Sequence, residues 1–153
     1  MAQYSWKRKP KGAPKAAIAG AYIQQLARKN HGVSAEMLVE SSRKRGSPLH
    51  KCFEWNDTQA AAEYRKSQAR TILRSLTVTV QEDDDHEPVQ VNAFVCLEEG
   101  PEYLSIQSVV SDEDMDLRYK RILLEDLRQC KRKVQAYEEF TEVVQAIDRV
   151  KIS

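Results

Sequence analysis

The spacing of apolar residues changes period twice along this 153-residue chain, and those changes do most to limit what it can fold into. Before Leu76 apolar residues recur at three- and four-residue intervals, the repeat of a helix face. At Leu76 the repeat drops to two, and Thr77, Val78, Thr79 and Val80 read as a strand. After Ser111 helical spacing returns. Helices, then short strands on short connections, then helix again predict an α+β fold with an antiparallel sheet, because the connections are too short for a parallel crossover.

The first part divides into three helices. Ala16 to Lys29 places Ile18, Tyr22, Ile23 and Leu26 at helical spacing, and Gly32 offers a left-handed stop. Ser34 is a good N-cap for a second helix that runs to about Lys44 and ends at Gly46. Residues 47–55 carry Pro48, Leu49, Phe53 and Trp55 and read as a packed connector. Asn56, Asp57 and Thr58 are cap-competent residues for a third helix reaching about Ser75. Its inner face would hold Ala62, Arg65, Ala69, Ile72, Leu73 and Leu76. Lys66, Arg70 and Arg74, at i, i+4 and i+8, form a basic stripe on another face.

Three short strands are expected next: 77–80, 89–97 and 103–110, joined by the acidic turn Glu82–Glu87 and by Gly100-Pro101. Ser111 then opens a helix as its cap, followed by three acids that suit the positive end of a helix dipole. Neither Gly nor Pro occurs from residue 102 to residue 153, while apolar residues continue from Met115 to Ile147. One unbroken helix there would exceed roughly 50 Å, so the segment is either a long helix or a hairpin broken near Lys131-Arg132-Lys133. The expected organisation is a flexible basic arm over residues 1–15, a winged-helix-like three-helix unit with a three-stranded antiparallel sheet over 16–110, and a long C-terminal helical segment over 111–153.

Charge is divided as unevenly as structure. Net charge is +1, yet residues 1–75 hold 15 Lys+Arg against 5 Asp+Glu and residues 76–153 hold 9 against 18. A balance of +10 followed by −9 points to an anionic partner for the first half. DNA is the expected partner. The basic arm supplies Lys7, Arg8, Lys9 and Lys11, and the third helix supplies Arg65, Lys66, Arg70 and Arg74 for phosphates and base edges. Two features sit badly with a standard helix-turn-helix. The gap between helices two and three is 10 or more residues, against about 3–4 in that motif, and the tip of the wing is acidic. The long apolar stripe suits self-association, with Leu123, Leu127, Val134, Tyr137, Phe140 and Val144 as the dimer-forming residues. The alternative reading is a protein–protein interaction or assembly factor that works through this helix.

Several classes are not expected. No run of about 18 apolar residues suggests a membrane span, and the basic N-terminus lacks the apolar stretch of a signal peptide. Cys52, Cys96 and Cys130 are too few and too scattered for a disulfide framework, which favours a reducing cytoplasm. His50-x-Cys52 is the only close His/Cys pair, so neither a zinc site nor any other metal or cofactor is expected. No nucleophile elbow, phosphate loop or dinucleotide fingerprint appears, so no catalytic residues and no small-molecule substrate are assigned.

Residues 47–73 resemble a segment of small phage and prophage proteins. The matching positions are Ser47, Pro48, Leu49, His50, Phe53, Trp55, Asp57, Ala60, Ala61, Arg65, Gln68, Ala69 and Arg70. The resemblance extends weakly over residues 15–150. It implies a phage or prophage origin and the bacterial host cytoplasm as the working compartment, and it carries no activity with it.

Overall fold

The computed structural model describes residues 2–56, 59–81, 87–97 and 100–152. The expected capping residues Asp57 and Thr58 and the acidic tip 82–86 lie outside them. The fold is mixed α+β and divides into two compact units, Met1–Gln107 and Ser108–Ser153.

The first unit opens with a strand where the sequence suggests a flexible arm. Strand β1 (Gln3–Trp6) pairs antiparallel with β3 (Leu76–Val80), with Trp6 opposite Leu76. β3 also pairs antiparallel with β4 (Val89–Asn92), giving the sheet order β1-β3-β4. The arm holds because it buries something. The Tyr4 ring lies against helix α1 (Ala16–Asn30) at Gly20, where a Cβ would stand 2.2 Å from the ring carbon Cγ. Trp6 Nε1 donates to the Pro14 carbonyl at 3.1 Å, and the Lys7 amide donates to Ser75 O at 2.8 Å. Further on, Gly12 has φ +77° and presses on the Lys51 backbone, where a Cβ would meet the carbonyl oxygen at 2.1 Å. No L-residue fits there without displacing the chain.

Helix α1 ends as the sequence suggests, but one residue early. His31 takes the left-handed conformation with φ 56°, and Gly32 follows it with φ +143°, also a positive φ that suits glycine. Strand β2 (Val33–Ser34) leads into α2 (Ala35–Ser42), where the Ser34 hydroxyl accepts from the Met37 amide at 3.1 Å as an N-cap. The connector contains a short 3₁₀ turn at His50–Cys52 and is packed, with Leu49 wholly buried. Helix α3 (Gln59–Ser75) packs on α2 and runs directly into β3, at the residue where the period changes.

The expected three-stranded meander is two sheets. The run 89–97 breaks at Ala93 into β4 and β5 (Phe94–Cys96), and β5 joins β6 (Glu102–Ser105) and β2 in the order β2-β6-β5. Ala93 links the two sheets, its amide donating to Leu76 O at 3.0 Å and its carbonyl accepting from the Ile106 amide at 2.9 Å. Buried residues run consecutively through Ala93, Phe94 and Val95, because a strand passing from one sheet to the other loses its outward face. Residues 106–110, read as strand, form a short helix, α4 (Ile106–Val110). The core of this unit comprises Ile23, Val33, Leu38, Leu49, Ile72, Leu73, Leu76 and Val78, each 2% exposed or less. Burial of each such side chain contributes about 1.5–3 kcal/mol.

The second unit is a helical hairpin. α5 (Glu113–Val134) is capped by Asp112, whose side chain accepts from the Met115 amide at 2.9 Å, so the cap lies one residue beyond the expected Ser111. After a 3₁₀ turn at Glu138–Phe140, α6 (Thr141–Arg149) folds back on α5. Ile147 is buried, and Lys131 bonds Asp148 at 2.5 Å. The segment is therefore two helices, broken just after the Lys131–Lys133 run.

Candidate nucleic-acid interface

The residues expected to meet an anionic partner fall into three groups. Lys9 and Lys11, with Arg8, are exposed on the docked N-terminal segment. Lys7 is also exposed, but its ammonium donates to Asn92 Oδ1. These residues are not a tether. The Ala13 amide donates to Pro10 O at 3.1 Å, and Gly12, between Lys11 and Ala13, presses on the Lys51 backbone.

The α3 stripe is less available than its spacing suggests. Lys66 bonds Glu36 at 2.8 Å and Glu63 at 3.2 Å. The hydrogen bond to Lys66, with its positive charge, holds the Glu36 carboxyl below its ordinary pKa, and the same contacts hold the Lys66 ammonium above its own. Arg74 is exposed, and its Nε donates to the Tyr103 hydroxyl at 3.1 Å. Arg70 is exposed, and its charge also lowers the Glu36 carboxyl.

Arg65 is buried and not exposed on α3 as a phosphate contact would be. It is 5% exposed, and its Nη1 donates to the carbonyls of Glu54 at 2.8 Å and Asn56 at 3.2 Å. Its guanidinium also lies 5.5 Å from the Trp55 ring centroid. It sits at an inward position of α3, where its fork closes the backbone of the connector instead of reaching solvent.

Four further exposed cations were missed in the sequence. Arg43, Lys44 and Arg45 are exposed in the loop after α2, and Lys51 is exposed in the connector. Trp55 ties the two segments together. Its ring stacks on His50 at 5.1 Å, its Nε1 donates to His50 O at 2.9 Å, and the Arg43 guanidinium lies 5.4 Å from its centroid. His50 Nδ1 in turn contacts the Ser42 carbonyl at 3.0 Å. Arg43 also pairs with Glu40 at 3.2 Å. Among the described residues, Lys9, Lys11, Lys44, Arg45 and Lys51 meet no carboxylate. The available signal was the run Arg43-Lys44-Arg45 beside Gly46, five residues before Lys51.

The expected dimer-forming residues are not on one stripe. Leu123, Leu127 and Val134 belong to α5, Tyr137 and Phe140 to the turn, and Val144 to α6. Tyr137 and Phe140, which contact each other edge to face 6.4 Å apart, lie beyond the end of α5 at Val134 and so do not continue its seam.

Burial pushes the Cys52 thiol up to about 11, so at neutral pH it is protonated and a poor nucleophile. Among the described residues no three His, Cys, Asp or Glu side chains gather as a metal site, and no helix is long and apolar enough to cross a membrane. Neither family models, curated proteins nor solved structures give a match to this chain.

Proposed function

We propose that this chain is a non-enzymatic nucleic-acid-binding protein of phage or prophage origin that acts on DNA in the host cytoplasm and self-associates through its C-terminal helices. The observation that carries the reading is the docking of the N-terminal segment, which brings Gly12, next to Lys11, onto the Lys51 backbone, while Arg43 lies over Trp55 of the same connector. Among the described residues Lys9, Lys11, Lys44, Arg45 and Lys51 meet no carboxylate; exposed cations of this kind attract an anion, and phosphate spacing along a duplex rewards several held together. In the winged-helix-like version of this reading α3 is the recognition helix. Buried Arg65 and paired Lys66 leave it Arg70 and Arg74, so more of the binding energy is assigned to residues 9–11 and 43–51.

The test is fluorescence anisotropy with generic duplex DNA at low and raised salt. The triple variant Lys11→Glu, Arg45→Glu, Lys51→Glu should bind far more weakly. For three lost phosphate contacts, the slope of log K against log salt should fall by about 2.7. The pair Arg70→Glu, Arg74→Glu should cost less. Absence of binding by the unaltered protein at low salt overturns the reading and leaves the assembly-factor alternative. A larger loss from the α3 pair than from the triple variant returns the interface to the recognition helix.

A further inference from the structure

We infer that α5 pairs antiparallel with α5 of a second copy of this chain, about a two-fold axis at Leu123. The inference rests on the self-association proposed above and gives it an orientation. None of the 22 residues of α5 is buried, and Leu123 and Leu127 are 42% and 41% exposed. At 3.6 residues per turn Tyr119, Leu123, Leu127, Cys130 and Val134 fall within an arc of about 80°, the width of a helix-pairing seam.

Two features of the helix choose the occupant and its direction. Spacing at the three central seam positions, Tyr119, Leu123 and Leu127, is self-complementary. With the axis at Leu123, near the middle of α5, that leucine meets its own copy, and Tyr119 comes level with Leu127 of the partner subunit. Charge is polarised along the same helix. Glu113, Asp114 and Asp116 occupy the first turn, and Lys131, Arg132 and Lys133 the last. Among the described residues Glu113, Asp114 and Lys133 form no ion pair. Antiparallel pairing sets the acidic turn of each copy beside the basic turn of the other and opposes the two helix dipoles. Parallel pairing sets acid beside acid and base beside base.

Distance measurement between spin labels reads the orientation directly. The full chain carries Gln135→Cys, with Cys96→Ser and Cys130→Ala so that only position 135 and the buried Cys52 hold thiols. Residue 135 is 12 positions from the axis, so in the antiparallel dimer the two labels lie roughly 36 Å apart along the helices. In a parallel dimer they lie about 10–20 Å apart, set by the interhelix distance and the label arms. Sedimentation gives the mass of the same sample. A dimer with the long distance supports the inference. A dimer with the short distance overturns the orientation while leaving self-association standing, and a monomer overturns both. Leu123→Glu, at an exposed position, should preserve helicity and yield the monomer mass; an unaltered dimer would place the interface elsewhere and end the inference.

Discussion

Replacement of Gly20 by alanine should destabilise the protein, and the same replacement should stabilise it once Tyr4 is gone. Alanine is favoured over glycine inside a helix by about 0.8–1.0 kcal/mol. Gly20 lies mid-helix in α1, so that gain is available wherever a methyl group has room. Here it has none. The added Cβ would stand 2.2, 2.4 and 2.5 Å from Cγ, Cδ2 and Cδ1 of Tyr4. The ring cannot swing away freely, because Tyr4 is held opposite Val78 in the sheet and its hydroxyl donates to Gln24 Oε1 at 3.4 Å. Overpacking of this kind costs about 1–3 kcal/mol, so with the propensity gain of about 1 kcal/mol set against it Gly20→Ala alone should lose up to about 2 kcal/mol net. In a Tyr4→Ala background the obstruction is absent, and Gly20→Ala should gain about 1 kcal/mol. The coupling between the two sites is therefore about 1–3 kcal/mol, above the additivity error of about 0.3–0.5 kcal/mol for independent sites. Urea unfolding followed by the fluorescence of Trp6 and Trp55, both in the first unit, measures all four corners of the cycle. An equal stabilisation by Gly20→Ala in both backgrounds would refute the packing of the N-terminal strand on α1.

Three further outcomes are expected. Arg65→Ala should destabilise by about 2–4 kcal/mol, because a buried side chain is lost and two connector carbonyls lose a charged donor; a stable variant with reduced DNA affinity would instead make Arg65 a contact residue. Glu36→Gln removes one of the two carboxylates holding Lys66, so on the proposed reading it should raise DNA affinity and steepen the salt dependence, as measured by anisotropy at several salt concentrations; no change would exclude Lys66 from the interface. Stability should be insensitive to Cys52 below pH 9, its ordinary pKa, and decline from there through about 11, because only the unfolded chain releases the thiol proton in that window. Cys52→Ala should flatten this part of the unfolding profile, and an identical alkaline decline in the variant would refute the assignment.

Local signals in the sequence were good guides to local structure. The change of period at Leu76 is the junction of α3 and β3, Ser34 caps α2, and the packed connector is packed. What misled was the assumption that each stretch acts alone. Residues 1–15 contain prolines, a glycine and no acid, which describes a disordered tail; β1 forms because Tyr4 and Trp6 find partners at Gly20 and Pro14, far enough along the chain that no local pattern shows it. The alternation Val89, Val91, Ala93, Val95 reads as one strand, but the chain changes sheets at Ala93, and only tertiary hydrogen bonds reveal that. Arg65 has the residue type of a phosphate contact and the position of a core residue. Position decided, because an inward-facing guanidinium with two carbonyls in reach is satisfied without solvent.

Docking of the N-terminal segment changes what its charges are able to do. A free basic arm binds phosphates at the cost of ordering its backbone, about 1–2 kcal/mol per residue. A segment already held by β1 and by the Gly12–Lys51 contact has met that cost during folding. Gly20→Ala offers a way to separate placement from charge, because it loosens β1 without removing any cation. On the proposed reading it should weaken DNA binding while leaving the salt slope nearly unchanged, since the slope counts phosphates neutralised and not how rigidly the lysines are held. Lys9→Gln with Lys11→Gln should do the reverse, lowering the slope by up to about 1.8 with little effect on stability. If both variants lower the slope equally, the arm's lysines reach phosphate only when β1 is docked, and placement and charge act as one. If neither changes affinity, the arm is a structural strand alone and the interface contracts to residues 43–51.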